Sequence, residues 1–243
     1  MHNFKWWLVF SKSMVVIVAL AGVIFPARAV VSPDRSRIIL QAKNGEESLL
    51  LMNTATIPSL VQVWVDDGNP LVTPDKLSLP IAVVPPVFKL DGGQQRDVRI
   101  KLLKSNLVEN VEKLYWINIY QVPPNTARKS VTMQQVIMPL RIRLKLILRP
   151  AGMESLKESE GELVNFTLSK DKSPALLISN PGKRVLSLSG IRFNATNHSG
   201  LTLLPGDNQK IPLSNEEFKV GKQAISWSIV NDMGVNSIYK REI

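Results

Sequence analysis

Beyond its first 29 residues the chain keeps one histidine, His198, and it has no cysteine. A Ser-His-Asp triad would have to run through His198. That residue sits in "NATNHSG", which reads as a polar turn, so a solvated loop histidine is expected there. Without cysteine there is no thiol nucleophile, zinc ribbon or redox pair. No Gly-rich phosphate loop and no H-E-x-x-H occur. Paired carboxylates can hydrolyse glycosides, but the acidic residues lie mostly in expected turns such as Asp66-Asp67 or in the stretch "MESLKESEGE" at 153–162. No catalytic residue, metal or cofactor is therefore expected, and the protein does not read as an enzyme. The chemistry left is that of cations. Arg141, Arg143, Lys145 and Arg149 recur at odd positions of "VIMPLRIRLKLILRP", 136–150.

The element that carries them alternates. Val136, Met138, Leu140, Ile142, Leu144, Leu146 and Leu148 are all apolar. A period of two marks a β-strand with one greasy and one wet face, and this one exceeds the usual length of about 5–6 residues. Pro139 inside it lacks an N–H and belongs on an edge or at a bulge. Other short runs follow the same rule, among them "SRIIL" (36–40), "SLLLMN" (48–53), "SLVQVWVDD" (59–67), "DVRIKLL" (97–103) and "KLYWINIYQV" (113–122). Beyond the acidic stretch come "LVNFTL" (163–168), "ALLISN" (175–180), "RVLSLSGIRF" (184–193) and "AISWSIVN" (224–231). Many short strands divided by Gly, Pro and Asn turns predict an all-β fold of two sandwiches.

The N-terminus reads as a secretory signal peptide. Lys5 and Lys12 precede or flank the apolar run "MVVIVALAGVIF" (14–25), and "ARA" follows at 27–29. That run is shorter than the ~20 residues a spanning helix needs. Cleavage after Ala29 is expected, with no membrane insertion of the mature chain. The expected division is 1–29 signal peptide, 30–150 first domain and 151–243 second domain. The formal charge is +10; Lys5, Lys12 and Arg28 leave with the signal, so +7 remains. A basic balance favours anionic partners. For an exported chain with no aromatic-interleaved basic stripe, an acidic protein or a carboxylate fits better than nucleic acid.

One set of residues carries a resemblance. "VEKLYWINIYQVPP" (111–124) is similar to the signature of periplasmic pilus (fimbrial) assembly chaperones of the PapD-like family, through Glu112, Tyr115, Trp116, Asn118, Val122, Pro123 and Pro124. Lys113 departs from the small polar residue commoner there. "SPDRSRIIL" (32–40), "VPPVFKLDGG" (84–93), "RIRLKLILRP" (141–150) and "SIVNDMG" (228–234) match in family order.

The resemblance implies two immunoglobulin-like β-sandwich domains in a boomerang arrangement. It implies a periplasmic chaperone that binds pilus subunits (pilins) by donor-strand complementation and delivers them to an outer-membrane usher. It implies that Val136, Met138 and Leu140 form the donor strand, and that Arg37 and Lys145 bind the subunit's C-terminal carboxylate. It also implies an interdomain salt bridge of Arg99, Glu112 and Asp232. The short "PPNTARKS" loop (123–130) and the lack of cysteine suggest the branch that serves rod-like pili. The competing reading, a secreted Ig-like adhesion or binding module, predicts a Trp beside paired cysteines, and there are none.

Overall fold

The structure, a computed structural model, describes residues 31–103, 110–122, 124, 138–169, 173–218 and 223–243. The expected signal segment and Val136 lie outside them. Within these residues the chain is almost wholly β. The one α-helix among the described residues is the single turn α1, Glu158–Gly161, inside the acidic stretch. No helix among the described residues is long and apolar enough to cross a membrane.

The strands stack as two sandwiches. In the first, β1 (Val31–Pro33), β3 (Glu46–Asn53), β7 (Gln95–Leu102) and β5 (Ile81–Val84) form one sheet in the order β1-β3-β7-β5. Facing it are β2 (Arg37–Gln41), β9 (Leu140–Arg149), β8 (Lys113–Val122), β4 (Ser59–Asp66) and β6 (Val87–Leu90), in the order β2-β9-β8-β4-β6. Period-two alternation sets the facing of each strand. On β4, Val61, Val63 and Val65 enter the core while Leu60, Gln62 and Trp64 turn outward. Ile38, Leu49, Val98, Ile117, Leu146 and Leu148 complete that core.

The second sandwich pairs β10 (Asn165–Ser169), β11 (Ala175–Ser179) and β15 (Asn208–Pro212) with a sheet of order β13-β12-β16-β17. Those four strands are β13 (Thr196–Ser199), β12 (Leu186–Phe193), β16 (Ala224–Val230) and β17 (Asn236–Glu242); β14 (Thr202–Leu203) also pairs with β12. Phe166, Ile178, Leu188, Phe193, Trp227 and Ile229 fill its core.

The first strand of the chain switches sheets. Residues 34–36 interrupt it, so β1 pairs antiparallel with β3 whereas β2 pairs parallel with β9. β2 is short, and its register runs only from Arg37 opposite Lys145 to Gln41 opposite Arg149. The other side of β9 is paired with β8 over its whole length, from Leu140 opposite Gln121 to Leu148 opposite Lys113.

His198 departs from its expected place. It lies on β13, largely covered, with Nε2 3.2 Å from Glu217 Oε1. The cross-strand partner Ile191 draws it towards the covered side of its sheet.

One glycine is required by packing. The indole N–H of Trp227 donates to the Gly161 carbonyl at 3.0 Å, and the Trp227 ring stacks on Tyr239 at 5.5 Å. A β-carbon at Gly161 would collide with the Tyr239 ring. Gly161→Val should lower the stability of the second sandwich by about 1–3 kcal/mol. Urea denaturation read by tryptophan fluorescence checks this, and an unchanged midpoint would count against the packing account.

Candidate functional site: a half-paired strand and a cation pair

β9 divides into two halves. Between 145 and 148 both of its edges are paired; between 140 and 144 only the β8 side is, among the described residues. The amide of Ala42 donates to the Arg149 carbonyl at 2.8 Å, so the backbone polar groups of Arg149 face β2. Those groups alternate sides along a strand. The backbone groups of Arg143 and Arg141 therefore face the open edge. Carried back two residues from Arg141, the alternation aims the missing N–H of Pro139 at that edge as well.

The apolar face emerges from the core along the same direction. Leu146 and Leu148 are sealed at 0% and 2% exposure, Ile142 and Leu144 are partly covered against the core, Leu140 is 44% exposed and Met138 76%. Two of the three residues expected to form a donor strand thus project from the end of the sandwich. The third, Val136, lies outside the described residues.

The odd face is more covered than a simple wet face. Arg143 stacks over Trp116 at 4.6 Å and is paired through its guanidinium with Asp66. Arg141 lies over Trp64 at 4.9 Å, donates twice to Asn118 Oδ1 (2.9 and 2.6 Å) and reaches the same Asp66 at 3.6 Å. Asp66 is no turn residue but the fully buried end of β4. Burial alone would push its carboxyl up; hydrogen bonds from Arg143, Asn118 and the Gly68 amide hold it below the usual carboxylate range.

Arg37 and Lys145 are opposite one another in the β2·β9 register, where the open edge begins. Neither has a carboxylate in contact among the described residues. Lys145 Nζ donates to Ser187 Oγ at 2.9 Å and to Thr202 Oγ1 at 2.6 Å. Burial, helped by the neighbouring Arg37 charge, pushes its pKa down to about 8. Arg37 is buried; its Nη1 donates to the Val230 carbonyl at 2.8 Å, and its Nε finds no acceptor among the described residues. Burial disfavours its charge, and Asp232 opposes that only through space. The pair is an anion site in form: two desolvated cations held by neutral oxygens.

The expected salt bridge of Arg99, Glu112 and Asp232 needs correction. Arg99 is exposed on β7, in the other sheet, opposite Ser48 and Val84, and no ion pair joins it to Glu112 or Asp232. The cation that links those two carboxylates is Arg149, at 1% exposure. Its Nε meets Glu112 Oε1 at 2.6 Å, while Nη1 and Nη2 grip Asp232 at 2.6 and 2.8 Å. The register explains the exchange: Lys113 opposes Leu148, which brings Glu112 beside Arg149. Arg184 is a further member, bonded to Glu160 at 2.8 Å and 3.4 Å from Glu112. The other oxygen of Glu112 accepts the Val185 amide at 2.8 Å. Among the described residues no group of three or more histidine or acidic side chains is arranged to hold a metal ion.

Comparison with known proteins agrees with this architecture. Residues 30–154 match the model "Pili and flagellar-assembly chaperone, PapD N-terminal domain", and residues 161–241 match "Pili assembly chaperone PapD, C-terminal domain". The chaperone protein MrkB of Klebsiella pneumoniae is 30% identical over 210 residues, covering 84% of this chain and 88% of that protein. The probable fimbrial chaperone YehC of Escherichia coli K12 is 26% identical over 217 residues, covering 88% and 87%. In fold, the chain is similar to the SafB chaperone solved in complex with the SafA pilin of Salmonella enterica. That TM-score is 0.73 at 23% identity, covering 90% of this chain and 98% of the other.

Arg149 binds two carboxylates from one buried position, so its loss should cost more than a surface pair. Removing one partner of a buried ion pair typically costs about 3–5 kcal/mol, and Arg149→Met should fall in that range by equilibrium urea unfolding. Burial would push the Asp232 carboxyl up, but the hydrogen bonds from Arg149 hold it below its ordinary 3.8. A depressed carboxylate stabilises the fold above its unfolded pKa and loses that contribution as pH falls through the folded one. The gap between wild type and Asp232→Asn should therefore be constant above about pH 5 and close below about pH 3.8. A gap that persists unchanged at pH 3 would count against the network.

Two family models in chain order, matched together over most of its length, identify this chain as a member of the PapD-like family of pilus-assembly chaperones.

Proposed function

We propose that this protein is a periplasmic chaperone that captures pilus subunits by lending them the open edge of β9, and that it passes them to an outer-membrane usher. The observation that carries the reading is the coincidence of that edge with an uncompensated cation pair at its inner end. The relatives are fimbrial chaperones and the family is one of chaperones, not enzymes. The SafA–SafB complex supports a pilin as partner. The signal-like N-terminus supports export.

The geometry of capture follows from the register. An incoming strand that fills the open edge occupies the column of β2, beside residues 140–144. If its terminal carboxylate rests on Arg37 and Lys145, its chain end lies at the 145 end of that edge. The strand must then run in the direction of β9, a parallel addition. Backbone groups of Arg141 and Arg143 supply its hydrogen bonds, and Pro139 leaves one donor missing on the partner's side. Met138 and Leu140, with Val136 beyond them, would enter the apolar groove of an incomplete subunit. Each buried side chain contributes roughly 1.5–3 kcal/mol, before the ordering cost of association is taken off. The carboxylate fixes the register, because charge-assisted bonds are the stronger kind. No nucleotide is required, since completing a subunit's sheet is itself favourable.

Co-expression with pilus subunits followed by pull-down tests this. Lys145→Ala should reduce subunit capture about a hundredfold, as expected for losing a charged hydrogen-bonded anchor, with little change in melting temperature. Replacing Val136, Met138 and Leu140 together by Ser should abolish capture and leave a folded chaperone. Near-normal capture by Lys145→Ala, or unfolding of the triple variant, would overturn the assignment.

A further inference from the structure

The two cations of the site belong to the first sandwich, yet every hydrogen bond described for their side chains crosses to the second. Lys145 bonds to Ser187 on β12 and Thr202 on β14; Arg37 bonds to Val230 on β16. The acceptors lie in one row. Ser187 is the cross-strand partner of Thr202, and Leu188, the next residue, partners Ile229, the neighbour of Val230. The end of the second sheet thus presents three neutral oxygens, in sequence across three strands, to two desolvated cations.

We propose that Ser187 and Thr202 are positioning residues of the subunit-binding site, aiming the Lys145 ammonium and adding two hydroxyl donors for the incoming carboxylate. This rests on the carboxylate reading above and extends it across the domain junction.

The chemistry of a hydroxyl makes the case. Each one accepts from Lys145 Nζ through a lone pair, which leaves its own proton to donate elsewhere. With both hydroxyl oxygens within 2.9 Å of Nζ, a carboxylate in contact with the ammonium lies within reach of those protons. A backbone carbonyl in the same place could hold the lysine but would repel the carboxylate. Neutral hydroxyls do neither harm: they support the charge in the free protein without cancelling it. Ser187 is buried, so its hydroxyl is costly to leave without a partner, and Lys145 is the partner described for it.

A second consequence is coupling between the sandwiches. Lys145 spans the junction only while β12 and β14 keep their place against β9. The Arg149 network, which ties Asp232 of the β16–β17 turn to Glu112, fixes that same placement. The anion site is therefore assembled by the interdomain contact and is incomplete in either sandwich alone.

The experiment uses the full chain and reads Lys145 directly. The charged groups around it are Arg37 on β2, Arg143 on its own strand and Asp232 behind Arg37, and none of them is altered. The ε-methylene NMR signal of Lys145, assigned by its loss in Lys145→Ala, should titrate near pH 8 in the wild type. In Ser187→Ala/Thr202→Val the midpoint should fall by about one pH unit, because the ammonium loses two acceptors. Capture of a co-expressed pilus subunit should weaken about tenfold. Ser187→Thr/Thr202→Ser should restore both, a rescue that a space-filling role would not give. Thr202→Val alone should move both readouts part of the way, and it serves if the double variant folds poorly. An unshifted midpoint with wild-type capture would overturn the inference. If Lys145→Ala still loses capture in that case, only the hydroxyl assignment falls; if Lys145→Ala captures normally too, the carboxylate reading falls with it.

Discussion

A β-strand has two edges, and β9 uses both for only half its length. That constraint organises the molecule. Its inner half is locked between β2 and β8 and carries Leu146 and Leu148 into the core. Its outer half leans on β8 alone. The sandwich thereby anchors a ribbon whose open backbone groups and exposed Leu140 and Met138 remain available. An exposed edge with a greasy face is an aggregation hazard. Here it is moderated by means visible in the chain: Pro139 removes one donor from the open side, and Arg141 and Arg143 flank it with charge. The switch of the first strand from one sheet to the other is what starts β2 only at Arg37 and so decides where the open edge begins.

The second constraint is the angle between the sandwiches. Arg149 closes β9 and is bound to Glu112 on its own side and Asp232 on the other, with Arg184 and Glu160 extending the chain of charges. A buried pair of this kind is weak evidence for net stability, since desolvation offsets much of the attraction. Its geometric content is larger. Bidentate contact between a guanidinium and a carboxylate fixes distance and orientation together, which is what a site divided between two bodies requires.

Much of this was legible in the sequence. Alternation alone located β9, and the clean period of "SLVQVWV" separated the two faces of β4. The resemblance led to Arg37 and Lys145, which the register sets side by side. Arg99 failed for a physical reason: a motif match names a cation but not the sheet it belongs to, and β7 lies across the core from β8. Pairing logic would have found Arg149, because a strand closing at Arg-Pro opposite the start of "EKLYW" must bring it to Glu112. Asp66 was misread because a carboxylate at a strand end looks like a turn residue until its arginine partners are counted. Ser187 and Thr202 carried no signal at all. Small hydroxyls in a strand are ordinary, and only the docking of one sandwich on the other gives them a cation to hold.

The pattern of charge compensation separates scaffold from site. Along the outer face of β9, Arg141 and Arg143 share the buried Asp66, and Arg149 at the far end is matched by Glu112 and Asp232. Between them Lys145, with Arg37 beside it, has only neutral oxygens. Burying a charge without a counter-charge costs free energy, and folding selects against it unless something else is served. Among the described residues the chain puts carboxylates in contact with the cations on both sides and none in contact with this pair, which is what the proposed capture of a terminal carboxylate requires. The open edge leads to that gap and ends there, so on the proposed reading a subunit strand filling the edge would bring its terminal carboxylate to the two cations.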